Sequence, residues 1–293
     1  MGPRFPNRLL PYVLLSPSII IVVIFLVIPS IQSLYLSFYR TTPFGDRLIY
    51  TGLGNFQRLF SNPEYINSLL TTLFFSGFII VVGLSLSLAL AVLANQRIMG
   101  IGAYRTLLIW PYTLSPAVAG TIWALLWDPA TGAMPYFWSL FTGSRINWMM
   151  NPSLALLVVS MAATWKMLGY NVMILLAGLQ GIPRDVLEAA EIDGASPLRR
   201  FFQVMFPFIT PSLFFLLIMN SLYAFFDTFG LIDIMTRGGP GGATEILVYK
   251  LYRDGFISLR TGFASAQSII LFVFVAVLTV LQFRIGGRRV FYQ

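Results

Sequence analysis

Six long apolar runs, almost free of charge, constrain this chain more than any other feature of its sequence: residues 12–38, 68–94, 104–127, 153–179, 207–232 and 262–283. Within them the only ionisable Asp, Glu, Lys or Arg residues are Arg105, Lys166 and Asp227. Crossing the hydrocarbon core of a bilayer takes about 20 predominantly apolar residues, because backbone polar groups must be satisfied inside the helix itself. Each run is long enough. None shows the two-residue alternation over about ten residues that marks a strand of a membrane barrel. The pattern therefore predicts an all-α, polytopic membrane protein with six transmembrane helices, forming a single domain over residues 1–293.

The composition agrees with a lipid environment: 57% of the residues are hydrophobic and only 10% are charged, with a mean hydropathy of +0.78. Arg4 and Arg8 precede the first run as in a secretory signal. That run is far longer than a signal's apolar segment and no small-residue cleavage site follows, so it reads as a retained helix. The chain has no cysteine and no histidine. This excludes disulfides, thiolate chemistry, the usual zinc sites and His-based triads. The pI of about 9.9 does not point to nucleic acid, since the basic residues are scattered over both ends of the runs instead of gathering on one face.

Orientation follows from the distribution of Lys and Arg. The segments before run one, between runs two and three, between four and five, and after run six are short and dense in arginine, ending with Arg284, Arg288 and Arg289. The positive-inside rule places this set in the cytoplasm, with both termini. Trp123, Trp127, Trp138 and Trp148 then fit an aromatic belt on the outer side.

The connection over residues 180–206 is the most charged stretch of the chain. It contains Arg184, Asp185, Glu188, Glu191, Asp193, Arg199 and Arg200. Pro183 suits a helix start, "RDVLEAAEID" is rich in helix formers, Gly194 supplies a turn, and "PLRRFFQVMF" resumes a helical pattern towards Pro207. Most mixed-charge connectors are solvated spacers. Here small residues, Ala189, Ala190, Gly194 and Ala195, lie between the charges and suit close docking on another protein.

Glu188, Ala189, Ala190, three residues, Gly194, nine residues, then Val204, Met205, Phe206 and Pro207 resembles the E-A-A motif of the inner-membrane permeases of binding-protein-dependent ABC importers. Val204 and Phe206 depart conservatively from the usual Ile and Leu. The likeness extends through "LLSPSIIIVVIFLVIPSIQSLYLSF", "GLGNFQRLF", "LQGIPRDVLEAAEIDGA" and "TRGGPGGAT", which resemble the carbohydrate-type permeases. "YAFFDTFGLID", "YKLYRDGF" and "SAQS" are most similar to the subgroup that serves sn-glycerol-3-phosphate import. The resemblance implies a type I ABC importer permease fold in a bacterial inner membrane. It also implies a coupling role for Glu188, Ala189, Ala190, Asp193, Gly194 and Ala195. The implied partners are a second homologous permease, two ATPase subunits that hold ATP and Mg, and an extracytoplasmic substrate-binding protein. No cofactor is expected on this chain. Independently, a P-loop needs lysine after glycine, and the two lysines, Lys166 and Lys250, follow Trp165 and Tyr249. The chain is therefore expected to be non-catalytic.

Residues inside the runs are the candidates for a substrate path. Lys166 lies midway along the fourth run, with Tyr170 one turn on. An intramembrane charge is costly and is by default a functional hypothesis. A phosphorylated cargo would find a point cation there; alternatively Lys166 neutralises a buried carboxylate or reaches an aqueous vestibule. Asn220, Tyr223 and Asp227 fall at helical spacing on one face of the fifth run and offer hydrogen bonds to a polyol, although an amide also serves to glue helices. Gln267 in the sixth run is a candidate of the same kind. "RGGPGGAT" reads as a flexible outer turn, a weak match to a phosphate cradle, and "TEILVYKLYRDGF" as an amphipathic helix on the membrane surface. The cargo expected from the resemblance is sn-glycerol 3-phosphate or a glycerophosphodiester. The alternatives are a neutral sugar such as maltose or trehalose and, in another class, an ion-coupled secondary transporter, for which no inverted repeat is visible.

Overall fold

The computed structural model describes residues 10–42, 47–96 and 100–286. Arg4, Arg8, Arg97, Arg288 and Arg289, which contribute to the expected orientation, lie outside them. The chain packs as two compact units, residues 1–62 with 251–273, and 63–250 with 274–293.

Among the described residues five helices are long and apolar enough to cross a membrane: Leu10–Ser37, Pro63–Ala94, Pro152–Gln180, Pro197–Asp227 and Thr261–Gly286. The third run is not one helix. It divides into Ile101–Thr113 and Pro116–Leu126, with Leu114 and Ser115 extended between them. Proline disfavours helical backbone in the residue before it, and Ser115 at ψ 153° instead caps the second piece, its hydroxyl accepting from the Val118 N–H at 3.3 Å. The fifth helix starts at Pro197, so the helical pattern of "PLRRFFQVMF" runs without a break into the run that follows. Ser196 caps this start and Pro197 occupies its first turn. A widened π-turn, Phe201–Met205, sits just before Pro207, where proline removes a backbone donor from the helix. A second π-turn, Tyr223–Asp227, closes the helix before the separate Phe229–Met235 segment.

In the larger unit Pro152–Gln180 is the central helix. Helices Pro63–Ala94, Ile101–Thr113 and Pro197–Asp227 all pack against it. Its N-terminal half joins Phe75 and Ile79 through Val158, Val159 and Ala162, and its C-terminal half joins Ala91, Ile209 and Leu216 through Val172, Leu175 and Leu179. Gly169 lets Ile101–Thr113 approach closely, because a Cβ there would overlap the Leu108 carbonyl oxygen and the Ile109 backbone. Trp148 is not a lipid-facing belt residue as expected. It is 2% exposed, and its indole N–H donates to the Trp127 carbonyl at 2.6 Å. Trp138 does stay exposed.

The expected flexible turn and surface helix after residue 236 are likewise replaced by a packed element. The Thr244 hydroxyl donates to the Gly239 carbonyl at 2.7 Å and lies 2.6 Å from the Thr236 hydroxyl, closing the glycine-rich turn on itself. Helix Leu247–Tyr252 then buries Lys250, which pairs with Glu64 at 3.2 Å and Glu245 at 3.9 Å. An isolated amphipathic helix would have kept that lysine in water; a pair of carboxylates makes its burial tolerable.

In the smaller unit, helix Leu10–Ser37 leads into a two-stranded antiparallel hairpin, Tyr39–Thr41 with Leu48–Tyr50, in which Arg40 faces Ile49 in the register. Helix Gly54–Phe60 follows. The Asn55 amide donates to the carbonyls of Ser37 and Tyr39, each at 2.8 Å, and fastens that helix to the end of the membrane run.

Candidate functional site

Lys166 is built into the middle of the central helix and is 7% exposed. Its ammonium lies 5.5 Å from the centre of the Tyr112 ring and 5.7 Å from that of Tyr223. Tyr170, one turn further along, packs its ring against Tyr112 at 4.9 Å. Three tyrosines from three helices thus frame one cation. Placing a lysine at a helix centre costs about 2.5–3.5 kcal/mol, and each desolvated cation–π contact returns about 0.5–2 kcal/mol. Two rings therefore offset much of the cost without giving the three N–H donors an acceptor. No carboxylate of the described residues lies within 4.0 Å of the Lys166 nitrogen, and none of them accepts a hydrogen bond from it. Asp227 interacts with it only at longer range. The centre of the helix bundle thus holds a buried cation set against two tyrosine rings.

The fifth-helix candidates separate. Asn220 is fully buried and forms a reciprocal amide pair with Asn171: its Nδ2 donates to Asn171 Oδ1 at 2.8 Å and accepts the return bond at 3.1 Å through Oδ1. Its amide also donates to the Leu216 carbonyl. All this capacity is spent inside the protein, so Asn220 serves as helix glue. Tyr223 is 6% exposed and its hydroxyl lies 3.3 Å from the Ala163 carbonyl, while its ring faces Lys166. Asp227 is exposed at the end of the Tyr223–Asp227 π-turn, within electrostatic range of Lys166 and Tyr223. Gln267, expected on the path, is 2% exposed and donates to Asp254 at 2.7 Å within the smaller unit. Its side chain ties helix Thr261–Gly286 to the Arg253–Ile257 segment.

The charged connection folds as helix Arg184–Ile192 and a turn at Gly194. Gly194 adopts φ +74°, and the N–H groups of Asp193, Gly194 and Ala195 donate back to Ala189, Glu191 and Ala190, which satisfies the last carbonyls of the helix. An ion pair between Glu191 and Arg200 closes the turn from outside. Glu188, Ala189, Asp193 and Gly194 are exposed and Ala190 and Ala195 half-buried. Ile192 is 86% exposed, and a Cβ at Gly194 would meet nothing. The segment is thus a shaped, small-residue surface with its own hydrogen bonds already satisfied.

Sequence reasoning missed Tyr112, Asn171 and the Lys250 pairs. Asn171 carried a usable signal, an amide inside an apolar run five positions from Lys166. Tyr112 carried none, since its role depends on the break after Thr113.

A central cation in a bundle of membrane-crossing helices, with a structured polar loop at one end, defines a membrane permease of helical type. The family profile described as "Binding-protein-dependent transport system inner membrane component" matches residues 129–291. The chain belongs to that family, and its fold is that of a type I ABC importer permease. It is 46% identical to the sn-glycerol-3-phosphate transport system permease protein UgpA of Agrobacterium fabrum over 98% of both chains. It is 45% identical to the protein of the same description in Escherichia coli O157:H7, over 99% of this chain and 98% of the other. Among solved structures, a chain of a bacterial alginate ABC transporter in complex with its alginate pentasaccharide-bound periplasmic protein superposes with a TM-score of 0.84, at 23% identity, over 95% of this chain and 94% of that one.

Proposed function

We propose that this permease subunit carries sn-glycerol 3-phosphate, or a glycerophosphodiester, across the bacterial inner membrane by alternating access. The observation that carries the reading is Lys166: a buried cation with unused donors suits an anionic cargo and offers little to a neutral sugar. The full-length identity to permeases described for sn-glycerol 3-phosphate supports it. In this reading Lys166 meets the phosphate, while the rings of Tyr112 and Tyr223 hold the ammonium in place and Tyr170 backs the Tyr112 ring. The chain itself performs no covalent chemistry. ATP and Mg act on two separate ATPase subunits, a second permease completes the path, and an extracytoplasmic binding protein delivers cargo. Both termini lie in the cytoplasm, so the surface from Glu188 to Ala195 is presented to the ATPase side and transmits its closure to the fifth helix, which begins two residues later at Pro197.

The test is ATPase stimulation of the reconstituted assembly by binding protein loaded with sn-glycerol 3-phosphate, with a glycerophosphodiester and maltose as comparisons. Stimulation by the phosphorylated cargoes alone is expected. Stimulation by maltose alone would transfer the site to a neutral sugar and leave the coupling surface as it is.

A further inference from the structure

The smaller unit holds a second cationic site, far apart in sequence from Lys166. A cavity of about 340 Å³ is lined by Arg40, Arg58 and Arg260 together with Thr41, Thr42 and Ser258. We infer that this three-arginine cavity binds a phosphate-type oxyanion.

The three guanidinium groups come from three separate stretches, and specific devices bring them together. Arg40 sits on the first strand of the hairpin, and the buried Asn55 ties that strand to the helix that carries Arg58. Gly262 allows the start of helix Thr261–Gly286 to lie against the Tyr39 carbonyl, where any Cβ would overlap it. That contact sets Arg260, the residue just ahead of the helix, beside the other two. Leu259 takes the left-handed conformation at φ +55° to make the turn, and the Arg260 N–H donates to the Asp254 carbonyl at 2.9 Å. Arg58 is further held over the Phe263 ring at 5.8 Å.

Like charges gathered this way repel one another unless something between them compensates. Among the described residues no acidic side chain lines the cavity and none of the three arginines forms an ion pair. The positive end of the 26-residue helix beginning at Thr261 adds to the same potential. Guanidinium forks pair two oxygens each, so a tetrahedral phosphate with several non-bridging oxygens matches three of them better than a single carboxylate does. The neighbouring hydroxyls of Thr41, Thr42 and Ser258 add donors of the right kind. The cavity lies just past the end of the apolar Leu10–Ser37 helix, next to the linked rings of Tyr35, Tyr39 and Tyr50. Such aromatic clusters sit at headgroup level. The phosphate therefore comes either from a phospholipid or from a soluble phosphate ester.

The experiment uses the assembled transporter carrying Lys166→Met, so that binding at the central cation does not contribute and failure of the cargo reading stays distinguishable. Phosphatidylglycerol retained by the complex is counted by native mass spectrometry, and inorganic phosphate is titrated calorimetrically. R40Q, R58Q and R260Q are each expected to weaken the bound species about tenfold, the typical worth of one charge-assisted hydrogen bond, and R260K to keep part of it. Loss of the lipid assigns the site to a phospholipid; loss of inorganic phosphate binding assigns it to a soluble ester. Unchanged lipid retention and unchanged phosphate binding in all three single variants overturn the inference, and the single variants keep the test open should the triple variant fail to assemble.

Discussion

Lys166 and the connection around Gly194 both interrupt the apolar pattern of the larger unit, yet the protein treats them in opposite ways. Around Lys166 everything except the ammonium is finished. Asn171 and Asn220 satisfy each other, Tyr223 faces the Ala163 carbonyl, and two rings hold the cation. Around Gly194 the backbone is finished, but the side chains of Glu188, Asp193 and Ile192 point outward with large exposure. In the proposed function the first region meets cargo and the second is covered by a partner. Burial alone does not separate the two roles, since the buried Asn171–Asn220 pair and Lys250 are satisfied within the protein.

The sharpest way to break the comparison is Gly194→Asp. A side chain at φ +74° costs roughly 1 kcal/mol, which the fold tolerates, and the added carboxylate stands where a Cβ meets open space. Normal levels of the protein in the membrane are expected, with substrate uptake lost while ATP hydrolysis persists; undiminished uptake would show that this surface is not docked. Next in size is Lys166→Met. Removing one charge-assisted contact lowers uptake of a phosphorylated cargo about ten- to a hundredfold, and a transport assay with a neutral cargo in parallel should show a much smaller change. Equal losses would make Lys166 structural.

Smaller effects sharpen the contrast from within each region. Asn171→Leu and Asn220→Leu, alone and together, should give a coupling of about 0.6 kcal/mol in a stability cycle, the usual worth of an interhelical polar pair in a membrane. The double variant is expected to be nearer wild type than the sum of the two single ones, since it leaves no amide unpaired. Glu191→Gln, which removes an ion pair whose acidic partner is 60% exposed, should change thermal stability by no more than about 1 kcal/mol. A large loss there would mean that the pair, and not the capped glycine turn, holds the loop in shape.

The membrane class, five of the helical crossings and the capped turn at Gly194 were legible in the sequence, because hydropathy and turn chemistry act locally. The third crossing was read as one helix because composition is blind to a break: Ser115 and Pro116 are ordinary residues in an apolar run until the extended backbone before proline is weighed. Along the fifth helix composition is equally blind to the π-turn at Tyr223–Asp227, which changes the count that a spacing rule assumes. Lys166 was legible as an unusual residue, but its surroundings were not, since Tyr112 reaches it only through the packing of Ile101–Thr113 on Gly169. Lys250 shows the converse. It was read from its own helix as a surface residue, whereas Glu64, 186 positions away, makes it a buried one.

The Asn171–Asn220 pair also has a consequence for how the protein is made. The two amides are separated by 49 residues of chain, and each is the other's partner. At a synthesis rate of about 5–20 residues per second, Asn171 precedes Asn220 into the membrane by roughly 2–10 s. During that interval the central helix carries an amide and a cation into the bilayer with neither its partner amide nor the Tyr223 ring available. Biosynthesis thus passes through a stage at which an incomplete chain is marked by polar groups in lipid, and the arrival of the fifth helix removes the mark.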